Sequence, residues 1–353
     1  MGKLFRLRYI LPVRQRLLLQ AGGIALLILA WFGLTSGSQP IMPPSIFPHP
    51  LKVLAAFPKM VAENNLLINT CRSIALNLAG YIEAVAIAVP AGFLIGLFPL
   101  FRGSFQRPVD AFRYVPLTAV TGLFILWFGL GVDMKVHFLA LGILIYLLPV
   151  VVARIDEVDD IFVKTVYTLG ATNWQTIRTV FMPAVLAKLS DDIRVLTAIS
   201  WTYIIIAESL GNEGGLGALI WRLGQRQGKV DALFALLFLI IVIGFLQDKV
   251  FTYLDKELFP HKHQQANQSH AKAGNLKTTL NKIIGLVLFW ALWIALGIYL
   301  ILLLDDWFEI LGGFHIWSQL FGEALWSINT VFFLVLAYKL KKTFFPKHTL
   351  IQA

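Results

Sequence analysis

A polar segment between long apolar runs contains the residues that are best suited to act on another molecule. The stretch GATNWQTIRTVFMP (170–183) begins with Gly170, which allows the left-handed conformation that closes a helix. Thr172 or Asn173 can cap the helix that follows, and Pro183 is expected to end it. The second helix carries an apolar stripe at helical spacing, formed by Trp174, Ile177, Val180 and Phe181. Two short helices with a hinge result, and their stripe needs a protein groove or the bilayer interface to cover it.

Ionisable residues inside apolar runs form a second group of candidates. Glu83 lies in LNLAGYIEAVAIAVP, and burying its carboxylate in a membrane is costly. It could line a pathway, be protonated, or pair with a cation such as Arg72 or Arg113, and we favour the structural pair. Three further candidates for a pathway or intramembrane role are Trp127, Phe128 and Glu208. The two aromatic residues are also typical of anchors at a membrane interface.

Residue types needed for catalysis or metal binding are missing or badly placed. The sequence has no G-x-x-x-x-G-K-[ST] phosphate loop, so we expect any ATP and magnesium to be held by a partner and no cofactor by this chain. The single cysteine, Cys71, excludes an internal disulfide and is expected to pack in a span. His137 is expected to face solvent or headgroups. Three histidines, His261, His263 and His270, lie in a polar stretch that contains no carboxylate or cysteine. This stretch therefore does not predict a metal site.

The composition indicates an all-α membrane protein, a polytopic helical bundle. Hydrophobic residues make up 58% of the chain and charged residues only 14%, with a mean hydropathy of +0.73. Spanning helices need roughly 20 mostly apolar residues. Eight spans are predicted near 17–34, 73–100, 114–131, 136–153, 195–210, 232–247, 283–304 and 324–338.

The net charge of +10 is explained by membrane orientation and not by nucleic-acid binding. Most Lys and Arg residues fall in the segments that would share one side of the bilayer, namely 1–16, 102–113, 154–194, 249–282 and 339–347. Such asymmetry places these segments, with both termini, in the cytoplasm. We therefore expect a multi-pass membrane protein, in contact with lipid and with no nucleic acid.

Four regions are expected along the chain. Residues 1–70 form an anchor helix and an external arm that ends in an amphipathic surface helix, and we favour a retained anchor over a cleaved signal peptide. Residues 71–258 form the transmembrane core, with the cytoplasmic segment 154–194 and the external loop GNEGGLG. Residues 259–278 are a cytoplasmic linker, and residues 279–353 an additional pair of spans.

The segment around Gly170 resembles the cytoplasmic coupling loop of importer permeases driven by ATP. The family signature reads Glu-Ala-Ala, three residues, Gly, nine residues and then Ile-x-Leu-Pro. Here Gly170 is followed by nine residues and then by Val-Phe-Met-Pro. FRYVPLTAVTGLFILWFGLG (112–131) and AESLGNEGGLGALI (207–220) are similar to segments of the permeases for nitrate, sulfonates and taurine, and the resemblance covers about residues 15–260.

This resemblance implies a type I ABC importer permease-like core, extended by two C-terminal transmembrane helices. It implies a second permease subunit, in a homodimer, two copies of a cytoplasmic ABC ATPase, and a periplasmic or extracellular solute-binding protein that touches the 35–70 arm and the 211–230 loop. The residues implied in ATPase coupling are Lys164, Thr165, Val166, Gly170, Ala171, Trp174, Ile177, Val180 and Pro183. The implied solute is nitrate, a sulfonate, taurine or bicarbonate, with thiamine-precursor-like heterocycles as an alternative.

One departure concerns the charge of the coupling loop. Lys164, Thr165 and Val166 stand where the family has Glu-Ala-Ala, so a cation replaces the usual acidic contact. Either the partner surface differs, or Asp159 and Asp160 supply the charge.

Two other classes of function compete with the importer. A secondary transporter would place carboxylates near the midplane in repeated halves, and only Glu83 qualifies. A membrane enzyme would need a cluster of His, Asp or Glu at one depth, and the sequence offers none.

Overall fold

The structure is a computed structural model that describes residues 11–37, 40–211, 214–260, 262, 290, 293–294, 296–309 and 315–344. All regular elements in these ranges are helical. In chain order they are α1 (Val13–Thr35), α2 (Pro50–Asn64), α3 (Leu66–Leu97), α4 (Pro99–Phe112), α5 (Leu117–Phe128), α6 (Val132–Asp156), α7 (Asp160–Thr168), α8 (Asn173–Thr176), α9 (Met182–Ser209), α10 (Leu216–Leu219), α11 (Val230–Leu258), α12 (Ile316–Phe321) and α13 (Leu325–Phe344). Two π-helical stretches, Ile177–Phe181 and Ile220–Arg226, adjoin α8 and α10, and residues 296–308 are also helical.

Several of these helices are long and apolar enough to cross a membrane. Among the described residues there are five such spans: Arg14–Thr35, Leu66–Leu97, Val132–Asp156, Val230–Leu258 and Ile316–Lys341. A sixth is possible if the bent pair of α4 and α5 forms one span. The prediction of an all-α, multi-pass membrane protein is therefore confirmed.

Two predicted spans differ from these helices. The span predicted at 195–210 is the second half of α9, which is not among the five because it also carries Asp191, Asp192, Arg194 and Glu208. The span predicted at 283–304 lies partly outside the described residues, as does the linker 259–278.

The cationic stretch 102–113 that separates two predicted spans lies almost wholly in a helix. Residues Pro99–Phe112 form α4, with proline in its first turn, where no backbone N–H is required. The chain then bends by 106° before α5. Pro116 lies at this break, and a proline disfavours helical conformation of the residue before it.

The chain divides into two compact units, residues 1–65 with 220–239 and residues 66–219 with 240–353. In the first unit, the indole nitrogen of Trp31 donates a hydrogen bond to the carbonyl of Pro48 at 3.0 Å, and the rings of Phe47 and Phe234 lie 5.4 Å apart. The predicted amphipathic helix after the proline-rich arm is confirmed as α2, which begins at Pro50 and is capped by His49. The division into 1–70, 71–258, 259–278 and 279–353 stays a prediction.

In the second unit, α3 and α6 pack closely because glycines of α3 face bulky residues of α6. A Cβ atom on Gly80 would lie 2.6 Å from Leu139, and one on Gly92 would lie 2.5 Å from Val151. Small residues at such positions let two membrane helices approach each other. The core around this contact contains Tyr81, Ala84, Ala88, Ile95, Ala140, Ile143, Leu147, Val151, Val185 and Leu189.

The described C-terminal helices pack on the same unit. The Ser327 hydroxyl in α13 donates to the carbonyl of Ala75 in α3 at 2.8 Å, and both residues are fully buried. Further along α13, the Tyr338 hydroxyl donates to the carbonyl of Glu257 at 3.1 Å. The second of the two additional spans, predicted at 324–338, therefore corresponds to α13, and these hydrogen bonds join that helix to the core.

Candidate functional site

The helix α7 is held by local interactions alone and buries none of its residues. Asp159 caps it, because its carboxylate accepts a hydrogen bond from the backbone N–H of Ile161 at 2.9 Å. Lys164 lies one turn after Asp160, with 3.7 Å between the ammonium and the carboxylate, and both side chains are exposed. The Thr165 hydroxyl donates a hydrogen bond to the carbonyl of Ile161 at 2.7 Å. The residues Lys164, Thr165 and Val166 thus lie on a helix that contributes little to the core.

The turn after α7 has the geometry that the sequence predicts. Gly170 has φ of +78° and its N–H donates to the carbonyl of Tyr167 at 2.9 Å, which closes α7. Ala171 follows with a hydrogen bond to the carbonyl of Val166. Thr172 then caps α8 in a reciprocal capping box with Gln175. The hinge glycine and the threonine cap are both confirmed.

The prediction that Pro183 ends the second helix is wrong. The helix continues from α8 through the π-helical residues Ile177–Phe181 into α9, and Pro183 lies in the first turn of α9. The N–H of Met182 bonds to the carbonyl of Ile177, five residues before it, so the wider turn precedes the proline. A proline in the first turn of a helix needs no backbone donor, which explains why the helix tolerates it.

The apolar surface of this segment also differs from the predicted stripe. Trp174 is 66% exposed, but Ile177 and Val180 are half-buried and Phe181 packs against the core. The exposed large side chains instead come from α7, the turn and α8, and we call them the α7–α8 patch: Ile161, Phe162, Tyr167, Leu169 and Trp174. This patch is a contiguous stretch of the chain whose apolar groups the described fold leaves uncovered.

Ion pairs just before α7 join the end of α6 to α9. The Arg154 guanidinium donates to both carboxylate oxygens of Asp192, at 2.7 and 2.8 Å, and to Glu157 at 2.6 Å. Lys188 reaches the other oxygen of Glu157 at 2.8 Å. The hydrogen bonds from Arg154, followed by that from Lys188, lower the pKa of Glu157. Glu157 therefore remains ionised at neutral pH and ties the C-terminal end of α6 to α9, three residues before α7 begins.

A buried carboxylate lies at the opposite end of α9. Glu208 is 1% exposed and accepts the Ser73 hydroxyl at 2.7 Å on Oε1 and at 2.9 Å on Oε2. The N–H of Gly217 donates to Oε2 at 2.8 Å. Lys135, 2% exposed, is close enough to interact with it electrostatically. These bonds satisfy the carboxylate inside the protein.

The described residues of the glycine-rich loop, 211 and 214–217, fold over this carboxylate. The N–H of Gly215 donates to the side-chain oxygen of Asn69 at 2.7 Å, and that of Leu216 donates to the Ser73 hydroxyl at 2.8 Å. Gly215 has φ of +105°, and a Cβ there would lie 2.3 Å from the Glu208 carboxyl carbon. Only glycine allows this conformation and this approach. Glu208 was a candidate from the sequence, whereas its partners were not, and the repeated glycines of this loop were the available signal for them.

A cavity of about 240 Å³ adjoins Glu208. Its lining includes Arg72, Lys135 and Gly214 from the core and a C-terminal stretch at Phe321–Ala324. The C-terminal helices therefore help to enclose a polar space next to the buried carboxylate.

Glu83 has a different partner from those expected. Its Oε1 lies 2.8 Å from Nδ1 of His137, whereas Arg113 pairs with Asp110 in α4. Because α3 and α6 run side by side, the His137 ring reaches Glu83, while 38% of its side chain stays exposed; that it faces solvent or headgroups stays a prediction. The ring of Phe128 lies 4.5 Å from that of His137. Glu83, Phe128 and the neighbouring Trp127 are thus brought together, separate from Glu208.

The described residues include no group of three His, Cys, Asp or Glu side chains that could hold a metal ion. His261, His263 and His270 lie outside the described residues. Cys71 is half-buried in α3.

These helices and polar sites define a multi-pass helical membrane protein with an uncovered helical patch between two of its long helices. Residues 88–260 match the family model described as binding-protein-dependent transport system inner membrane component. The matched residues make up just under half of the chain, and the chain is similar to ABC importer permeases of the taurine and sulfonate type. Permeases of this kind are membrane subunits and not enzymes in themselves.

Two relatives illustrate the match. The taurine transport system permease protein of Escherichia coli strain K12 is 25% identical over 260 residues, which cover 72% of this chain and 94% of the relative. The putative aliphatic sulfonates transport permease protein of Bacillus subtilis strain 168 is 26% identical over 226 residues, 63% of this chain and 80% of the relative. Among solved structures, a chain of the MetNI methionine ABC transporter in an inward-facing conformation aligns over 53% of this chain and 92% of its own length, at 18% identity and a TM-score of 0.46.

Proposed function

We propose that this chain is the permease subunit of an ATP-driven importer and that the α7–α8 patch is its contact with a partner ATPase. The observation that carries the proposal is the patch itself, in which five large apolar side chains remain exposed on a segment with the glycine spacing of a coupling loop. Exposed apolar surface of this kind is typical of a protein interface. A short amphipathic helix inserted in a groove is one of the recurring ways to form one.

The path from the patch into the membrane supports a mechanical role. The turn at Gly170 leads through α8 and the π-helical residues into α9, a helix of 28 residues without a break at Pro183. Glu157, at the start of the segment, is paired with Arg154 and Lys188. A movement imposed on α7 and α8 by the closure of two ATPases would therefore be passed to α6 and α9, which alternate between inward-facing and outward-facing arrangements.

The remaining elements of the proposal follow from the family. The solute is a small anion or small organic compound. Similarity to a taurine permease and an aliphatic sulfonate permease favours taurine or a sulfonate, with nitrate, bicarbonate and thiamine-precursor-like heterocycles as the other candidates. The chain forms a homodimer and binds two ATPase copies, which carry the ATP and magnesium. An external binding protein delivers the solute to the 35–70 arm and the 211–230 loop. The protein lies in the bacterial inner membrane with both termini cytoplasmic.

Lys164 determines which ATPase is accepted in this proposal. It is exposed, it lies beside the patch, and its ammonium forms a weak, solvent-exposed ion pair with Asp160 at 3.7 Å. A cation at this position suits an acidic site in the ATPase cleft.

The experiment is purification of the tagged chain from its native membrane in a gentle detergent, followed by identification of the bound proteins by mass spectrometry. We expect an ABC ATPase to be recovered, and a solute-binding protein after crosslinking. Recovery of the chain without an ATPase, together with uptake that persists in ATP-depleted vesicles, would overturn the proposal in favour of a secondary transporter.

A further inference from the structure

Glu83 and His137 form a polar pair that is open on one side. Glu83 belongs to α3 and His137 to α6, and both helices are apolar enough to span a membrane. The two side chains are 2.8 Å apart, and 26% and 38% of their surfaces are exposed. By contrast, the Glu208 carboxylate is almost fully buried and accepts bonds from Ser73 and Gly217. The Glu83 pair is thus the more exposed of these two carboxylate sites.

The depth of the pair in the bilayer follows from the length of α3. Glu83 lies 17 residues after Leu66 and 14 before Leu97, which corresponds to about 25 and 21 Å along the helix axis. Since the hydrocarbon core is about 30 Å thick, Glu83 lies within it when the two helix ends reach the headgroups. Ionisable side chains at this depth face a protein interior or a water-filled space rather than lipid, because lipid cannot solvate them.

Aromatic rings at the end of α5 extend this open face. Phe128 packs on the His137 ring with 4.5 Å between centroids, and Trp127 lies next to Phe128. Both aromatic side chains are exposed, whereas Phe124, one turn earlier, is buried against Phe138. Two exposed aromatic rings at the end of α5 therefore lie beside the polar pair.

We propose that this face lines the route of the transported solute and that His137 is the residue that admits an anion past Glu83. This inference rests on the proposed function as an importer of a small anionic solute. Glu83 engages Nδ1 of His137, which leaves Nε2 as the ring nitrogen for a ligand. With one proton shared between Oε1 and Nδ1, the pair carries no net charge, and Nε2–H donates a hydrogen bond to a sulfonate or carboxylate oxygen. Without His137, the carboxylate stands alone in the route and repels anions.

The test uses thiol labelling of single cysteines introduced into a cysteine-free variant. Because Cys71 is the single cysteine, Cys71→Ala gives a background into which Phe128→Cys is introduced. Membranes are treated with two thiol reagents of similar size, the sulfonatoethyl and the trimethylammonioethyl methanethiosulfonates. The matched control is Leu126→Cys, since Leu126 is exposed on another side of α5.

We expect both reagents to modify position 128 and neither to modify position 126. Adding His137→Gln should slow the anionic reagent about tenfold relative to the cationic one, and adding Glu83→Gln to that variant should restore most of the anionic rate. Three results would overturn the inference: no modification at 128, a ratio of rates that His137→Gln leaves unchanged, or an oxidative disulfide dimer through position 128 that blocks modification and assigns the face to a second copy. Membrane abundance of each variant is measured in parallel.

The labelling contrast does not depend on ATP or on uptake, so it separates this inference from the proposed function. Absence of an ATPase partner would count against the importer. Loss of the contrast in a chain that still binds its ATPase would count against the route alone.

Discussion

The α7–α8 patch and the Glu208 site lie at the two ends of α9 and are constructed in opposite ways. The patch exposes large apolar groups, such as Trp174 and Leu169, on helices that are held by their own caps. The Glu208 site buries a polar group and satisfies it through contacts with α3 and with the loop 211–217. The first surface lacks a cover in the described fold, whereas the second has its partners within the chain.

The difference indicates what each region contributes. A buried carboxylate whose hydrogen bonds are all internal contributes to the stability of the fold, because removing any partner leaves a desolvated charge. An exposed apolar patch contributes little to the stability of the isolated chain and much to association. Mutations should therefore separate the two regions into one that controls folding and one that controls partner binding.

The largest effect is expected from Gly215→Ala. The added methyl group would collide with the Glu208 carboxyl group, and the left-handed conformation would be strained, for a combined cost of about 3 kcal/mol. We expect most of the protein to be lost from the membrane or to aggregate in detergent, as measured by size-exclusion chromatography of a fluorescent fusion. The matched control is Gly122→Ala in α5, where a Cβ meets nothing within 4 Å, and this variant should remain monodisperse. If the two variants behaved alike, the claim that the loop stabilises the fold would be contradicted.

The next largest effect is expected from Gly170→Pro. Proline fixes φ near −65° and has no N–H, so it can adopt neither the φ of +78° nor the bond to Tyr167. Because α7 and the turn make few core contacts, the variant should insert normally and lose its ATPase in co-purification. Gly170→Asn is the control, since asparagine tolerates the left-handed region and should retain the ATPase. An ATPase that co-purifies with the proline variant would show that the turn does not shape the binding surface.

A moderate effect is expected from Trp174→Ala. Truncation of an exposed tryptophan should leave the unfolding temperature of the isolated chain unchanged and weaken ATPase binding about 30-fold, as is typical of an aromatic residue at an interface. Affinity is measured between purified components, and Trp174→Phe should keep most of it. A drop in unfolding temperature without a loss of affinity would assign Trp174 to the fold.

The smallest effect is expected from Lys164→Glu. Its pair with Asp160 is exposed, so the stability should change by no more than about 0.5 kcal/mol. If the ATPase cleft complements a cation, the reversal should lower ATPase stimulation by about threefold, whereas Lys164→Arg should preserve it. Equal or greater stimulation by the glutamate variant would contradict the proposed charge selection.

Local signals allowed the turn and the helix cap around Gly170 to be predicted from the sequence. A glycine before a polar residue predicted both the left-handed turn at Gly170 and the cap at Thr172, because each depends on two or three neighbouring residues. The prediction for Pro183 was wrong because proline ends a helix only where a backbone donor is needed. The π-helical turn before it provides a place where none is needed.

Contacts distant in the chain could not be predicted in the same way. Ser73 and Glu208 are 135 residues apart, and Glu83 and His137 are 54 apart, so no periodicity connects them. The sequence indicated that Glu83 would need a partner, because an unpaired carboxylate in a membrane is costly. Which residue supplies it depends on the packing of α3 against α6.

The measurement that tests the central claim most directly is site-specific photo-crosslinking, with a photoreactive amino acid placed at position 174 and, for comparison, at position 127. Both residues are exposed aromatics in the structure, but only Trp174 belongs to the α7–α8 patch. We predict a crosslinked product with an ABC ATPase from position 174 and none from position 127. Crosslinking of the ATPase at 127, or only of lipid at 174, would contradict the assignment of the patch as the ATPase contact.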